Sequence, residues 1–248
     1  MLILFDVDGT LAESGKKMTC DMSETLINIK NKTKCLLGIV GGGNINKILY
    51  QLDQYKNIFD YIFSECGAVV YEKFMGNFRC IHKKSMMEQL DKEQERELNI
   101  ITELFLKILK DNNIETRGKN VDVRSGLIYL SMPGMDADDN LREKFFRFSK
   151  NNGFIENTLG TIKERTKKFI IAKGGEAGYS VTLPSWDKSQ VMNMIPNIIK
   201  DEKNIYFFGD KCEIDGNDYP LYSHELIKGY SVKNYQDTIE QLKCIFNT

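Results

Sequence analysis

Apolar residues along this chain form short unbroken runs and longer stripes of helical spacing. The first run, residues 2–5 (Leu-Ile-Leu-Phe), stops at Asp6-Val7-Asp8-Gly9-Thr10 and predicts a buried strand ending in a turn. Residues 23–30 carry helical spacing, with Met22, Leu26 and Ile29 on one side. A second buried strand is expected over 34–40, ending in Gly41-Gly42-Gly43, and the chain returns as a helix over 45–52. Short strands follow at 61–63 and 68–71. Strands alternating with helices predict an α/β fold with a parallel sheet, which binds ligands beyond the carboxyl ends of its strands.

Near residue 80 the pattern changes. A long charged helix is expected over 86–110, with Leu90, Leu98, Ile101, Leu104, Phe105 and Ile108 as its apolar side. Strands over 121–124 and 127–131 are joined by Ser125-Gly126, a hairpin signal. A helix over 141–150 and strands over 168–172 and 179–183, joined by Lys173-Gly174-Gly175, complete an α+β unit. A helix over 191–199 and a strand over 205–208 then resume the earlier pattern. The chain therefore divides into a discontinuous core, 1–81 with 185–248, and an inserted lid, 82–184. Residues 74–81 and 183–185 are the expected hinges.

Composition narrows the classes. The 248 residues hold 34 Lys and Arg against 35 Asp and Glu, a net charge of -1, so nothing favours nucleic acid or an acidic membrane surface. Six cysteines without a Cys-x-x-Cys pair, beside two histidines, argue against zinc or a disulfide framework and fit free thiols in a reducing cytoplasm. No apolar stretch approaches a membrane span, and the N-terminal run is too short for a signal peptide.

The candidate chemistry lies at strand ends. Asp6 and Asp8 converge where Gly9 lets the backbone curl. Two carboxylates that close repel unless a cation such as Mg2+ sits between them, with phosphate as a natural partner on its far side. Lys188, in Ser185-Trp186-Asp187-Lys188, and Asp210, in Phe207-Phe208-Gly209-Asp210-Lys211, add a lysine and a third acid, with Asn217 and Asp218 close behind. Read alone, Asp-x-Asp-Gly is equally an acidic turn, and Lys188 an exposed helix-start lysine.

The order Asp-x-Asp-Gly-Thr, Lys, Gly-Asp…Asp resembles the haloacid dehalogenase superfamily of phosphotransferases. The segments Val40-Gly41-Gly42-Gly43, Arg117-Gly118, Val123-Arg124-Ser125-Gly126, Gly174-Gly175, Trp186-Asp187-Lys188, Gly216-Asn217-Asp218 and Gly229-Tyr230-Ser231-Val232 look, in that order, like eukaryotic-type phosphomannomutases. The resemblance implies a Rossmann-like core with an α+β cap and interconversion of mannose 6-phosphate and mannose 1-phosphate for GDP-mannose synthesis. It also implies Mg2+, a hexose 1,6-bisphosphate activator, a cytoplasmic location and a homodimer through the cap. By the same resemblance Asp6 is the nucleophile and Asp8 the general acid and base. Lys188 neutralises charge, and Asp6, the Asp8 backbone carbonyl, Asp210 and Asp218 form the metal site. The alternative role for Asp218 is to hold Lys188, and Asp215 competes with it for its place.

Substrate contacts are expected from Gly42, Gly43, Asn44, Arg117, Arg124, Arg142, Gly178 and Ser180, with a solvated surface position as the alternative for each arginine. Several positions depart from the family. Gly43 stands in place of a Ser or Thr, Asn44 of an Asp, Gly15 and Met135 of arginines, and Gly178 and Ser180 of a Ser and an Asp that hold sugar hydroxyls. Lys16 and Lys17 are candidates to restore the charge lost at Gly15. These departures keep a sugar-phosphate phosphatase and a catalytically degenerate homologue open beside the mutase.

Overall fold

A computed structural model describes residues 1–174, 177–199, 204–214 and 216–247, so Gly175 and Asp215 lie outside the described residues. The chain forms two compact units, residues 1–84 with 187–248 and residues 85–186. The strand preceding the first boundary runs to Lys83, which carries the first unit beyond residue 81.

The first unit is built on strands β1 (Leu2–Phe5), β2 (Leu36–Val40), β3 (Tyr61–Ser64), β4 (Val69–Phe74), β5 (Asn77–Lys83), β10 (Ile205–Gly209) and β11 (Ile227–Ser231), in the order β11-β10-β1-β2-β3-β4-β5. The five strands from β11 to β3 are parallel, while β4 and β5 are antiparallel additions. Alternation explains why β1 is apolar throughout. Ile3 and Phe5 enter one buried cluster with Leu37, Ile39 and Phe208, whereas Leu2 and Leu4 enter another with Val40, Phe63 and Phe207. The first cluster takes residues of helices α1 (Cys20–Thr33), α2 (Ile45–Leu52) and α6 (Tyr235–Phe246).

Two expectations change here. Residues 74–81 are not a hinge, because Met75 and Gly76, both at positive φ (50° and 78°), turn β4 into β5 as a tight hairpin. The α-helix expected over 191–199 is replaced by 3₁₀ turns at Lys188–Asn193 and Ile195–Asn197. Pro196 lacks the N–H that a longer α-helix would need there.

The second unit has a four-stranded antiparallel sheet of β6 (Val121–Val123), β7 (Ile128–Ser131), β8 (Ile170–Lys173) and β9 (Gly178–Thr182), in the order β6-β7-β9-β8. Helix α3 (Lys92–Asp111) starts six residues later than the apolar stripe suggested, since Asp91 and Gln94 close a capping box at its N-terminus. Helices α4 (Asp139–Asn152) and α5 (Phe154–Lys163) are separated by Gly153 in the left-handed conformation, and α5 was not apparent in the periodicity. The buried face of the sheet carries Ile128, Leu130, Ile171, Tyr179 and Val181. Tyr179 donates its hydroxyl to Ile155 O of α5 (2.6 Å) and meets the Phe105 ring of α3 edge-on. Among the described residues no helix is long and apolar enough to cross a membrane.

Candidate active site

The carboxyl ends of β1, β2 and β10 lie side by side and deliver Asp6, Gly41 and Asp210 to one edge of the parallel sheet. Two glycines allow the loops to approach there. A Cβ on Gly9, whose φ is +81°, would sit 2.7 Å from Asp210 Cγ, and one on Gly209 would sit 2.7 Å from Asp218 Cγ. Each glycine lies against an acid of the site, so the acids can converge only because both positions lack a side chain.

Lys188 is the centre of this arrangement. It is fully buried, and its Nζ donates to Asp6 Oδ1 and Asp218 Oδ1, both at 2.5 Å. The second oxygen of Asp218 accepts the Lys211 N–H at 3.0 Å. Burial pushes the Asp6 carboxyl up to about 7, against the lowering pull of the Lys188 charge. Burial works to lower the Lys188 ammonium, but the charges of Asp218 and Asp6 outweigh it and hold it above its ordinary value. Asp210 is raised, mainly by burial.

Asp6, Asp210 and Asp218 offer ligand oxygens all within 4.8 Å of one another. Beside them, Asp210 Oδ1 and Asn217 Oδ1 are buried oxygens without a hydrogen-bond partner. Buried acceptors left unsatisfied are costly, and an all-oxygen acceptor set suits a hard divalent cation. The residues present therefore fit Mg2+. Asp218 belongs to this triad while also anchoring Lys188.

The Asp8 side chain is not a member of the triad. Its carboxylate takes Lys47 Nζ (2.5 Å), Gln51 Nε2 (2.8 Å) and the Gly15 N–H (2.8 Å). Burial works to raise this carboxyl, but Lys47 and the other donors outweigh it and hold it below its ordinary value. Sequence reasoning missed Lys47 and Gln51. Their signal is i, i+4 spacing on α2, which places both on one face of that helix.

The glycine turn meets the N-terminus of α2. Gly41 O and Gly43 O accept the N–H groups of Cys66 and Glu65. Asn44 caps the helix, its Oδ1 accepting from Lys47 N at 3.0 Å, so that oxygen is engaged inside the turn. Lys17 is drawn away to Asp53 (3.1 Å) and the Tyr50 ring, and of Lys16 it is the carbonyl that faces Gln51.

The remaining candidates lie in the second unit. Arg124 Nε donates to Asp122 Oδ2 at 2.7 Å, and Lys119 Nζ takes the other Asp122 oxygen at 2.5 Å. Burial works to raise Asp122, but these two cations hold it below its ordinary value. Arg117 pairs with Asp138 in an exposed bridge (2.7 Å), and Arg142 Nε donates to Ala137 O (2.9 Å), so both attend the start of α4. Ser180 donates to Ala172 O at 3.4 Å. Gly178 gives its carbonyl to Gly174 N–H, and the Tyr129 hydroxyl lies 2.6 Å from where a side chain at 178 would begin.

A mixed α/β core whose strand ends gather Asp6, a buried lysine and an acidic triad has the arrangement expected from the haloacid dehalogenase-like motifs of the sequence. Solved structures agree on the fold. Plasmodium falciparum IMP-nucleotidase bound to IMP superposes with a TM-score of 0.65 at 17% identity, covering 100% of this chain and 68% of that one. A structure described as showing a trigonal-bipyramidal intermediate in a phosphoryl-transfer superfamily gives 0.61 at 15% identity, covering 99% and 98%. Residues 22–248 match the family model of eukaryotic phosphomannomutase. Phosphomannomutase 2 of Dictyostelium discoideum is 32% identical over 99% of this chain and 96% of its own length. Phosphomannomutase of Saccharomyces cerevisiae is 31% identical over 99% and 94%. The chain belongs to the eukaryotic phosphomannomutase family, a family of enzymes.

Proposed function

We propose that this enzyme is a Mg2+-dependent phosphomannomutase that interconverts mannose 6-phosphate and mannose 1-phosphate through a phosphorylated Asp6, toward GDP-mannose. The observation that carries the reading is the buried Lys188 ammonium between Asp6 and Asp218, with unpartnered Asp210 Oδ1 beside it. Bound Mg2+ would add positive charge at the transferring phosphoryl group, held by Asp6 and Asp210 with Asp218 and the Asp8 backbone carbonyl around it.

The Asp6 oxygen not held by Lys188 attacks phosphorus, and the bond from phosphorus to the sugar oxygen breaks. Asp8 gives a proton to that leaving oxygen and later takes one from the incoming hydroxyl, whose oxygen attacks the phosphorus on Asp6 as the bond from phosphorus to the Asp6 oxygen breaks and the carboxylate is released. To do so Asp8 exchanges its Lys47, Gln51 and Gly15 donors for the sugar oxygen. Lys188 and the amides of Gly42 and Gly43 stabilise charge spread over the phosphoryl oxygens. The second unit supplies the cation for the phosphate that is not reacting, with Arg124 first among Arg117, Arg124 and Arg142 because it is the half-buried, preset one. A hexose 1,6-bisphosphate primes Asp6. The protein works in the cytoplasm as a homodimer assembled through the second unit.

A phosphatase on the same machinery is the second reading. Gly43 offers no hydroxyl, Asn44 Oδ1 is engaged in capping, and Tyr129 covers Gly178, so hold on the sugar is reduced. Product analysis decides between them. A mutase conserves ester phosphate, while release of inorganic phosphate at the rate of substrate loss contradicts the mutase. Asp6→Asn is expected to abolish either activity, and unchanged turnover in that variant would sink both.

A further inference from the structure

The polar face of the second unit's sheet is organised around an aromatic ring. Asp122 on β6, Tyr129 on β7, Ser180 on β9 and Ala172 on β8 are direct cross-strand partners, so all four point to the same side. Arg124, two residues beyond Asp122, lies over the Tyr129 ring with its guanidinium carbon 5.2 Å from the centroid. The ring is pinned at its far end, where the hydroxyl donates to Gly174 O at 2.6 Å. Two glycines make room for it. A Cβ on Gly174 would lie 2.7 Å from Tyr129 Cε2, and one on Gly178 would lie 2.6 Å from the Tyr129 hydroxyl. Tyr129 therefore occupies its place only because positions 174 and 178 have no side chains.

We propose that Tyr129 is a positioning residue that presents Arg124 to the non-reacting phosphate of the substrate. This rests on the reading of the enzyme as acting on a sugar phosphate. The contacts of Arg124 include Asp122 Oδ2 at 2.7 Å and the ring face, and its side chain is 14% exposed. A guanidinium fixed in this way loses little rotamer freedom on binding an anion, so affinity that would go into ordering the side chain is retained. The ring adds a cation–π attraction that a partly desolvated arginine feels more strongly than an exposed one. Asp122 shares its charge between two cations, since its other oxygen takes Lys119.

The test compares Tyr129→Leu, Tyr129→Phe and Arg124→Lys. Calorimetric titration of each with mannose 1-phosphate, and steady-state kinetics, give binding and the split between KM and kcat. Tyr129→Leu is expected to weaken binding about 3- to 30-fold, the range of one cation–π contact, and to raise KM while kcat moves less than twofold. Tyr129→Phe keeps the ring and is expected to stay within threefold of wild type, which also controls for folding. Arg124→Lys is expected to weaken binding at least as much as Tyr129→Leu.

A second readout needs no ligand. The Arg124 Nε–H signal in ¹H–¹⁵N spectra, assigned with Arg124→Lys, is expected to be sharp and exchange-protected in wild type and Tyr129→Phe. In Tyr129→Leu it is expected to be broadened. Unchanged affinity and an unchanged Arg124 signal in Tyr129→Leu overturn the positioning role while leaving the functional reading intact. A wild-type protein that binds neither mannose 1-phosphate nor other hexose phosphates overturns the functional reading and this role with it.

Discussion

Replacing Lys188 by Met removes the one ammonium between Asp6 and Asp218 while keeping a side chain of similar length. The structure sets the size of the effect. Lys188 has no exposure and makes two 2.5 Å contacts to carboxylates, so the variant leaves two buried acids without the ammonium that touches both. Breaking a buried ion pair from one side costs about 3–5 kcal/mol, because the partner keeps its desolvation penalty. For a domain of this size that corresponds to a fall in melting temperature of roughly 6–20 °C. The assay is urea unfolding of metal-free protein at pH 8, where Asp6 of the wild type, with its carboxyl pushed up to about 7, is ionised. Adding Asp218→Asn to Lys188→Met removes one stranded acid, and the cycle should show a coupling of about 0.5–3 kcal/mol. A loss under about 1 kcal/mol in Lys188→Met, with no coupling to Asp218, would refute the claim that this lysine balances the site.

Gly43→Ser restores a hydroxyl at the glycine turn, and its Cβ would meet only the flexible Lys47 stem, at 3.2 Å from Cδ. One hydrogen bond to a charged oxygen is worth about 1.5–3 kcal/mol, so phosphoryl transfer in stopped-flow assays should accelerate roughly 10- to 100-fold. Asp8→Asn should lower kcat about 10²- to 10⁴-fold, as loss of a general acid and base does. Because burial raises the Asp6 carboxyl to about 7 from 3.8, its contribution to stability is fully present below about pH 4 and is lost as pH rises to about 7. Metal-free wild type should accordingly lose stability relative to Asp6→Asn across that window, and Mg2+ affinity by calorimetry should tighten from pH 6 to pH 8 with proton release. Asp91→Ala should cost about 1 kcal/mol in urea unfolding by removing the α3 cap.

The parts of this molecule legible in its sequence are those set by local pattern. The apolar run 2–5 forms a strand, 45–52 forms a helix, and Asp6 and Asp210 each follow a strand that delivers them to one edge of the sheet, whereas Lys188 opens a 3₁₀ turn. What stayed hidden depends on contacts between distant segments. The hold of Lys47 and Gln51 on Asp8 spans about forty residues, and neither residue belongs to an acidic or glycine motif. Tyr129 reads as an ordinary strand residue until Gly174 and Gly178 are seen beneath it. Helix α5 was obscured because Gly153 breaks the stripe and the basic run 163–168 follows, where Glu97 of α3 gathers the N–H groups of Lys167 and Lys168 and the Thr166 hydroxyl. Asn44 looked able to reach a ligand, yet its position one residue before α2 commits its oxygen to capping.

The central claim is that phosphorylated Asp6 gives a phosphoryl group to one position of a hexose phosphate and takes one back from the other. The most direct measurement is ³¹P NMR of the purified protein with Mg2+ and mannose 1-phosphate, with and without a catalytic amount of glucose 1,6-bisphosphate. The account predicts a mannose 6-phosphate signal that grows only when the bisphosphate is present and disappears in Asp6→Asn. Inorganic phosphate as the sole product, or a mannose 1-phosphate signal unchanged under both conditions, would contradict it.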